Sequence, residues 1–99
     1  MKNKKLQLIA KNVIQDEINA LKNIKSSIGN SFNQIVKTIL NRKNGKIIIS
    51  GVGKSGIISK KWAATFSSVG IPSFFLDASN ASHGDMGQIS LNDIVILIS

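Results

Sequence analysis

Cysteine and tyrosine are absent from this 99-residue sequence, which has a single proline, a single histidine and a single arginine. Without cysteine the chain can form neither a disulfide framework nor a thiolate metal site. A zinc site built from protein side chains needs three or four ligands, and one histidine does not supply that number. These absences exclude disulfide-stapled scaffolds and zinc modules.

Long apolar runs are also lacking. The basic N-terminus, "MKNKKLQLIAKNVIQ", has its apolar residues interrupted by Lys11 and Asn12, so no signal-peptide core follows it. No run approaches the ~20 apolar residues that a membrane-spanning helix needs. We therefore predict a cytoplasmic protein that does not contact a membrane.

Negative charge is scarce, and the net charge is +8. All 13 Lys and Arg residues lie within positions 2–61, which fits either nucleic acid or an anionic ligand. A nucleic-acid surface would show clustered arginines and stacking aromatics, whereas the aromatic residues here fall in apolar patterns. We predict solvated lysine-rich helix faces and no nucleic-acid partner.

Two amphipathic helices are predicted to open the chain. Apolar residues recur at three- and four-residue steps over 4–28, and such a stripe must pack on something to stay helical. A second helix is predicted from Ser31, which begins a capping-box pair, to the Asn-Gly stop at 44–45. Residues 1–45 are thus interpreted as a helical lead-in.

The pattern changes after this lead-in. The β-branched run "KIIIS" is typical of a strand buried on both faces, and a glycine-rich turn follows it. Strand, helix, strand, polar connection and strand in this order predict an α/β fold with a parallel sheet. Because three strands make a small sheet, we expect residues 46–99 to be the front part of a larger domain. The predicted elements are strands at 46–50, 72–76 and 93–99, the last buried, and a helix at 57–69.

The turn "GVGKSG" lies where ligands of open α/β sheets bind, beyond the carboxyl end of a strand. Glycines let backbone N–H groups approach an anion, and the following helix directs its positive end to the same point. Lys54 adds a full charge and Ser55 a hydroxyl. The residues therefore predict an anion-binding turn.

Three phosphate-binding or structural alternatives fit this turn to different degrees. A Walker A loop would need a glycine at position 48, where the sequence has Ile48. The dinucleotide fingerprint fits better, since Gly51, Gly53 and Gly56 are followed by Asp77 at the end of the second strand. A turn that needs glycine only for its geometry is the third. The residues exclude the first and leave the other two open.

His83, the single histidine, lies in the predicted loop "NASHGDMG". It is either a solvated loop residue or a group that, beside Asp85, orients a substrate hydroxyl or moves a proton.

Residues 46–99 closely resemble the sugar isomerase (SIS) domain of bacterial arabinose-5-phosphate isomerases. The resemblance is carried by "GVGKSG", "AATFSSVGIPSFF", "ASHGDMG" and "DIVILIS", in this order and spacing. It implies a three-layer α/β/α sandwich around a five-stranded parallel sheet. Residues 1–99 would be the N-terminal portion of one such domain, truncated after the third strand.

The resemblance also implies an activity. Family members interconvert D-arabinose 5-phosphate and D-ribulose 5-phosphate through an enediol, in the carbohydrate metabolism that leads to the sugar acid of lipopolysaccharide. Full-length members form tetramers and often carry CBS modules. The alternatives are a non-catalytic sugar-phosphate-binding SIS module and, less favoured, a dinucleotide-binding Rossmann domain.

Site residues follow from the same resemblance. Lys54 falls on a lysine implicated in catalysis, which would neutralise enediolate charge. Ser55 falls in the turn that faces the sugar phosphate. The substrate-binding residues that the resemblance implies are Gly53, Ser55, Gly70, Ile71 and His83.

The chain also departs from the family pattern. Asp77 occupies a position where many members have a metal-binding histidine, and Ile57 one where the family often has histidine. An aspartate is a harder donor with different metal preferences, so we expect no required cofactor and leave a divalent metal at Asp77 open. The family's phosphate loop and acid–base groups fall after position 99, so residues 1–99 alone are expected to be inactive.

Overall fold

The computed structural model describes residues 2–99, which divide into two units between Ile35 and Val36. Every predicted helix and strand is present, with ends displaced by a few residues. One displacement matters: the third helix begins at Lys54, so the lysine and serine of the turn are helical. The elements are α1 (Asn3–Ser27), α2 (Asn30–Leu40), β1 (Ile47–Gly51), α3 (Lys54–Ser68), β2 (Ser73–Asp77), α4 (Ala78–Ala81), a 3₁₀ turn (Asp85–Gln88) and β3 (Ile94–Ile98).

The first unit consists of α1 and the start of α2. Its apolar stripe follows the predicted spacing, but α1 buries no residue among those described. Exposure along the stripe ranges from 40 % at Ile18 to 64 % at Leu21. Across residues 2–99, no helix is both long and apolar enough to cross a membrane.

The second unit is built on a parallel sheet with the strand order β2-β1-β3. The central strand β1 is buried on both faces, with Ile47, Ile48 and Ile49 at 0 % exposure. Full burial of an isoleucine side chain stabilises a fold by about 1.5–3 kcal/mol, so this strand is the centre of the core. The predicted α/β class with a parallel sheet is confirmed.

One face of the sheet packs against α3. Ile47, Ile49 and Ala63 form the buried cluster with Ile39 of α2, and aromatic residues of α3 and β2 surround it. The outer strand β3 contributes alternate residues to this cluster, while Val95 is 41 % exposed and Leu97 77 % exposed on the opposite face. The prediction that this third strand is buried is therefore wrong for two of its five side chains, because β3 is an edge strand here.

A carboxylate joins the amino ends of β1 and β3. Asp93, with a side chain only 1 % exposed, accepts the backbone N–H of Lys46 at 2.8 Å and that of Ser90 at 2.7 Å. The ammonium of Lys46 lies 3.2 Å from the same carboxylate. The backbone donors, and secondarily the lysine, hold the pKa of Asp93 below its ordinary value. This contact fixes the start of β3 beside the start of β1.

Candidate functional site

All three strands end at the same edge of the sheet, which we call the carboxyl edge. Gly51 at the end of β1 stands in register with Asp77 of β2 and with Ile98 of β3. The glycine turn and the start of α4 therefore meet there. Because ligands of open α/β sheets bind beyond this edge, it is the candidate functional site.

The glycines of the turn let α3 begin directly against β1. A Cβ on Gly51 would stand 2.8 Å from the carbonyl carbon and oxygen of Ser55, and one on Gly56 would stand 2.9 Å from the carbonyl oxygen of Gly51. Such distances would force helix and strand apart. Gly53 has open space around it but a φ of +61°, which glycine adopts without steric cost. Backbone geometry thus accounts for all three glycines, and ligand chemistry falls to the residues around them.

Lys54 and Ser55 form the first turn of α3. The N–H of Ile57 donates to the carbonyl of Gly53 at 3.2 Å, so the preceding N–H groups are left for water or a ligand. Lys54 is exposed, and its ammonium has no hydrogen bond or ion pair with residues 2–99. Ser55 is half-buried, and its carbonyl accepts the hydroxyl of Ser59 at 2.7 Å. This turn supplies positive charge and unpaired donors.

A first cavity of about 280 Å³ lies between the glycine turn, α3 and the start of α4. The side chains of Ile57, Lys60, Phe75 and Asp77 line it. The ammonium of Lys60 lies 5.2 Å from the centre of the Phe75 ring, a cation–π contact. The cavity thus combines one cation, one carboxylate and an aromatic wall.

Asp77 begins α4 as its N-cap. Its Oδ1 accepts the N–H of Ser79 at 2.8 Å, the hydroxyl of Ser79 at 2.6 Å and the N–H of Asn80 at 3.2 Å. The Ser79 hydroxyl bond, the two backbone bonds and, least of all, the charge of Lys60 lower the pKa of Asp77. The group is therefore ionised at neutral pH, with its hydrogen bonds concentrated on one oxygen.

A second cavity, of about 350 Å³, lies on the other side of the glycine turn. Ser50, Ser55 and Leu97 line it, beside the end of β3 and the start of α4. Three serines, the third being Ser99, therefore share this lining with largely apolar residues. An anion that enters this cavity meets donors from α3 without the carboxylate of Asp77, which lines the first cavity only.

Gly70 and Ile71 lie at the opposite edge of the sheet. Gly70, with a φ of +87°, follows the C-terminal end of α3. Two residues later, the carbonyl of Pro72 accepts the N–H of Ile47 at the start of β1. The 15 residues of α3 span about 22 Å. The structure therefore does not bring these two predicted substrate-binding residues together with the glycine turn of the same chain.

His83 lies between α4 and the 3₁₀ turn. Its backbone N–H donates to the carbonyl of Asn80 at 2.9 Å, and Gly84 after it has a φ of +114°. The imidazole is exposed and forms no hydrogen bond or ion pair with the part of the chain that the structure describes. It belongs to the lining of neither cavity. The structure thus places His83 after the carboxyl edge, without a hydrogen bond to Lys54 or Lys60.

Lys60 is the site residue that the sequence analysis missed. It lies four residues after Gly56 and three before Ala63, and Gly56 and Ala63 are both buried on the face of α3 that packs on the sheet. Helical spacing from the glycine turn could have indicated it, because residues i and i+4 share a face. Lys60 was not singled out because it forms a pair with the adjacent Lys61, and a pair of lysines is typical of a solvated helix face.

The donor set at Asp77 does not fit a divalent metal. Three or more His, Cys, Asp or Glu residues that could hold a metal ion occur together nowhere among residues 2–99. One oxygen of Asp77 is committed to Ser79 and to the cap of α4, and the cavity lining around it includes the apolar Ile57 and the cationic Lys60. An ammonium beside the carboxylate opposes a second cation by like-charge repulsion. Among the described residues, the surroundings of Asp77 therefore do not form a divalent-metal site.

Solved structures share the fold of this chain. A chain of Escherichia coli CFT073, solved in complex with arabinose 5-phosphate, superposes with a TM-score of 0.91 at 41 % identity, over 100 % of this chain and 52 % of that one.

Curated relatives are also similar to this chain in sequence. The arabinose 5-phosphate isomerases KdsD of Francisella tularensis and Yersinia pestis are 48 % and 43 % identical over 84 % and 94 % of the chain. The chain spans only 26 % and 28 % of the length of these two relatives. The SIS domain family model matches residues 39–99, which include β1, α3 and the whole carboxyl edge. Since that match covers more than half of the sequence, the chain belongs to the SIS domain family.

Proposed function

We propose that the protein interconverts D-arabinose 5-phosphate and D-ribulose 5-phosphate. The observation that carries this proposal is the 43 % identity to an arabinose 5-phosphate isomerase over 94 % of the chain, a span that includes the carboxyl edge. The near-identical fold of a chain solved with arabinose 5-phosphate supports it. The activity and substrate of the relatives are thereby extended to this protein.

The carboxyl edge supplies the charge that this reaction needs. Isomerisation moves a proton from C2 of the aldose to C1 and the proton of the C2 hydroxyl to O1, through an enediolate whose negative charge first develops on O1. The ammonium of Lys54, at the positive end of α3, would stabilise that charge. The N–H groups around Gly53 and Ser55, with the hydroxyl of Ser55, would hold the phosphate, and His83 would contact the sugar. The proton-transferring base is not assigned to this chain.

The test compares two lysine variants of the full-length protein. Lys54→Met should lower turnover of arabinose 5-phosphate by about 100-fold or more, because removing one electrostatic donor to a developing oxyanion costs that much in other enzymes. Lys61→Met, which removes an exposed charge from the same helix, should leave turnover unchanged. Both are measured by ribulose 5-phosphate release. Near-normal turnover in Lys54→Met would remove Lys54 from the mechanism.

A wild-type protein that binds arabinose 5-phosphate without converting it would favour a second function, that of a sugar-phosphate sensor. Isothermal titration beside the turnover assay separates the two, because a sensor gives a binding isotherm and no product.

The resemblance to the family supports two further proposals. The full-length protein would act in the cytoplasm, supplying a sugar phosphate for lipopolysaccharide synthesis, and would assemble as a homotetramer. Light scattering of the purified protein tests the assembly, and a monomeric mass would contradict it.

A further inference from the structure

The first cavity holds a free acceptor and a cation that the proposed chemistry has not used. The hydrogen bonds of the Asp77 carboxylate are made by Oδ1, with Ser79 and Asn80. Its Oδ2 accepts no hydrogen bond from any residue in 2–99 and belongs to a side chain that lines the cavity. An ionised oxygen with no protein donor is available to a ligand hydroxyl.

Lys60 faces the same cavity. The Phe75 ring lies 5.2 Å from its ammonium, which holds the charge beside the cavity wall. Within the described chain, ion pairs shorter than 4.0 Å are confined to Lys46 and Asp93, so Lys60 and Asp77 remain separate. Three ammonium protons are donors, and an ammonium accepts nothing. The two groups present an acceptor and a donor across a space rather than closing on each other.

We propose that the first cavity binds neighbouring hydroxyls of the sugar chain, with Asp77 Oδ2 accepting from one hydroxyl and the ammonium of Lys60 donating to the next. This assignment rests on the proposed function, which supplies a polyhydroxylated substrate. The cavity of about 280 Å³ exceeds several-fold the ~30 Å³ that one water occupies, so a short polyol segment fits.

Charge decides which part of a sugar phosphate enters. A phosphate in the first cavity would meet the carboxylate of Asp77, while the second cavity offers Ser50, Ser55 and helix N–H groups without that carboxylate. The neutral hydroxyls therefore suit the first cavity and the phosphate suits the second. The glycine turn between the cavities would lie along the ligand.

A ribose with adjacent hydroxyls, as in NAD, has the same chemistry as the sugar chain. Asp77 at the end of β2 is where a dinucleotide-binding protein places its ribose-contacting acid. The shared ligand chemistry is a pair of neighbouring hydroxyls, and titration with NAD beside arabinose 5-phosphate distinguishes the sources.

The variants can be chosen to leave the fold intact. Asp77→Asn keeps an oxygen that caps α4, since asparagine is as good an N-cap as aspartate, but replaces the free acceptor with an NH₂ donor. Lys60→Met keeps an apolar stem against Phe75 and removes the ammonium. Lys61→Met is the matched control, because it removes the adjacent exposed charge from a residue outside the cavity.

The experiment titrates the full-length protein and these variants with arabinose 5-phosphate, inorganic phosphate and NAD by isothermal calorimetry. We expect Asp77→Asn and Lys60→Met each to weaken arabinose 5-phosphate binding by about tenfold to a hundredfold, the cost of losing a hydrogen bond to a charged group. The affinity for inorganic phosphate should be unchanged in both variants. The Lys61→Met variant should bind arabinose 5-phosphate with the affinity of the wild type. Thermal unfolding checks that each variant is folded.

Three outcomes have distinct meanings. Wild-type affinity for arabinose 5-phosphate in the Lys60→Met variant, which alters an exposed side chain and is expected to fold, overturns the assignment but leaves the isomerase proposal standing. If the wild type binds NAD instead and both variants weaken it, the isomerase proposal fails while the hydroxyl-binding role of the cavity is supported. If the wild type binds neither ligand, both proposals are overturned.

Discussion

Replacing Gly51 with alanine should separate α3 from β1. The new Cβ would stand 2.8 Å from the carbonyl carbon and oxygen of Ser55 and 3.0 Å from the nitrogen of Gly56. Ordinary contacts start at 3.4 Å, so the first turn of α3 must move by about 0.6 Å, since a backbone cannot swing aside like a side chain. The same movement displaces Lys54, which begins the helix.

Both stability and activity should fall. Overpacking of this kind costs about 1–3 kcal/mol in the free energy of unfolding, measured by urea denaturation followed by circular dichroism. Because a misplacement of about 1 Å can cost 100-fold in rate, a displacement of about 0.6 Å should lower kcat/KM for arabinose 5-phosphate by roughly tenfold. The measured kcat/KM is divided by the folded fraction at the assay temperature, so that the loss of stability is not counted as a loss of activity.

Two glycine variants serve as controls. Gly87→Ala adds a Cβ with no atom within 4 Å and should change neither quantity. Gly45→Ala places a Cβ 1.7 Å from the carbonyl oxygen of Asn92, at the opposite edge of the sheet, and should destabilise without altering the turnover of the folded fraction. If Gly51→Ala matches Gly87→Ala in both measurements, the close approach of α3 to β1 is refuted.

Two further predictions concern the core and pH. Ile49→Ala, at a side chain with 0 % exposure, should lower the free energy of unfolding by about 2–5 kcal/mol in urea denaturation, whereas Leu91→Ala, 92 % exposed, should change it by less than about 0.5 kcal/mol. Equal effects would contradict the central place of β1. Because the pKa of Asp93 is lowered by folding, its contribution to stability is present above the unfolded pKa of about 3.9 and lost as pH falls through the folded value. Unfolding midpoints measured from pH 2 to pH 7 should therefore decrease on acidification, and less steeply in Asp93→Asn; parallel curves would count against the contact with Lys46.

Local pattern predicted the centre of the fold well. The β-branched run that includes Ile47 to Ile49 indicated a strand buried on both faces, and these side chains have 0 % exposure. Such a run encodes burial by itself, because it has no polar face to present to water. The glycine turn was also predicted from the sequence, since glycines are needed wherever two backbones meet closely.

Features that depend on distant partners were less visible. The helix after the turn was predicted from Ile57, but it starts at Lys54, because the absence of a Cβ on Gly56 lets the first turn pack on Gly51. Leu97 was expected in a buried strand, yet its burial depends on whether another element covers that face. The positions of Lys60 and Gly70 relative to the cavities likewise follow from three-dimensional register, which a linear pattern does not contain.

The strand order β2-β1-β3 has a consequence for the order of folding. The first strand to be synthesised is the middle one, and its partner β2 follows after a single helix. The contact between Lys46 and Asp93 closes a loop of 47 residues, about twice the separation between the paired residues of β1 and β2. Since longer loops cost more entropy to close, we expect the β1–α3–β2 unit to form first and β3 to dock last. Changes at Asp93 should accordingly speed unfolding more than they slow folding.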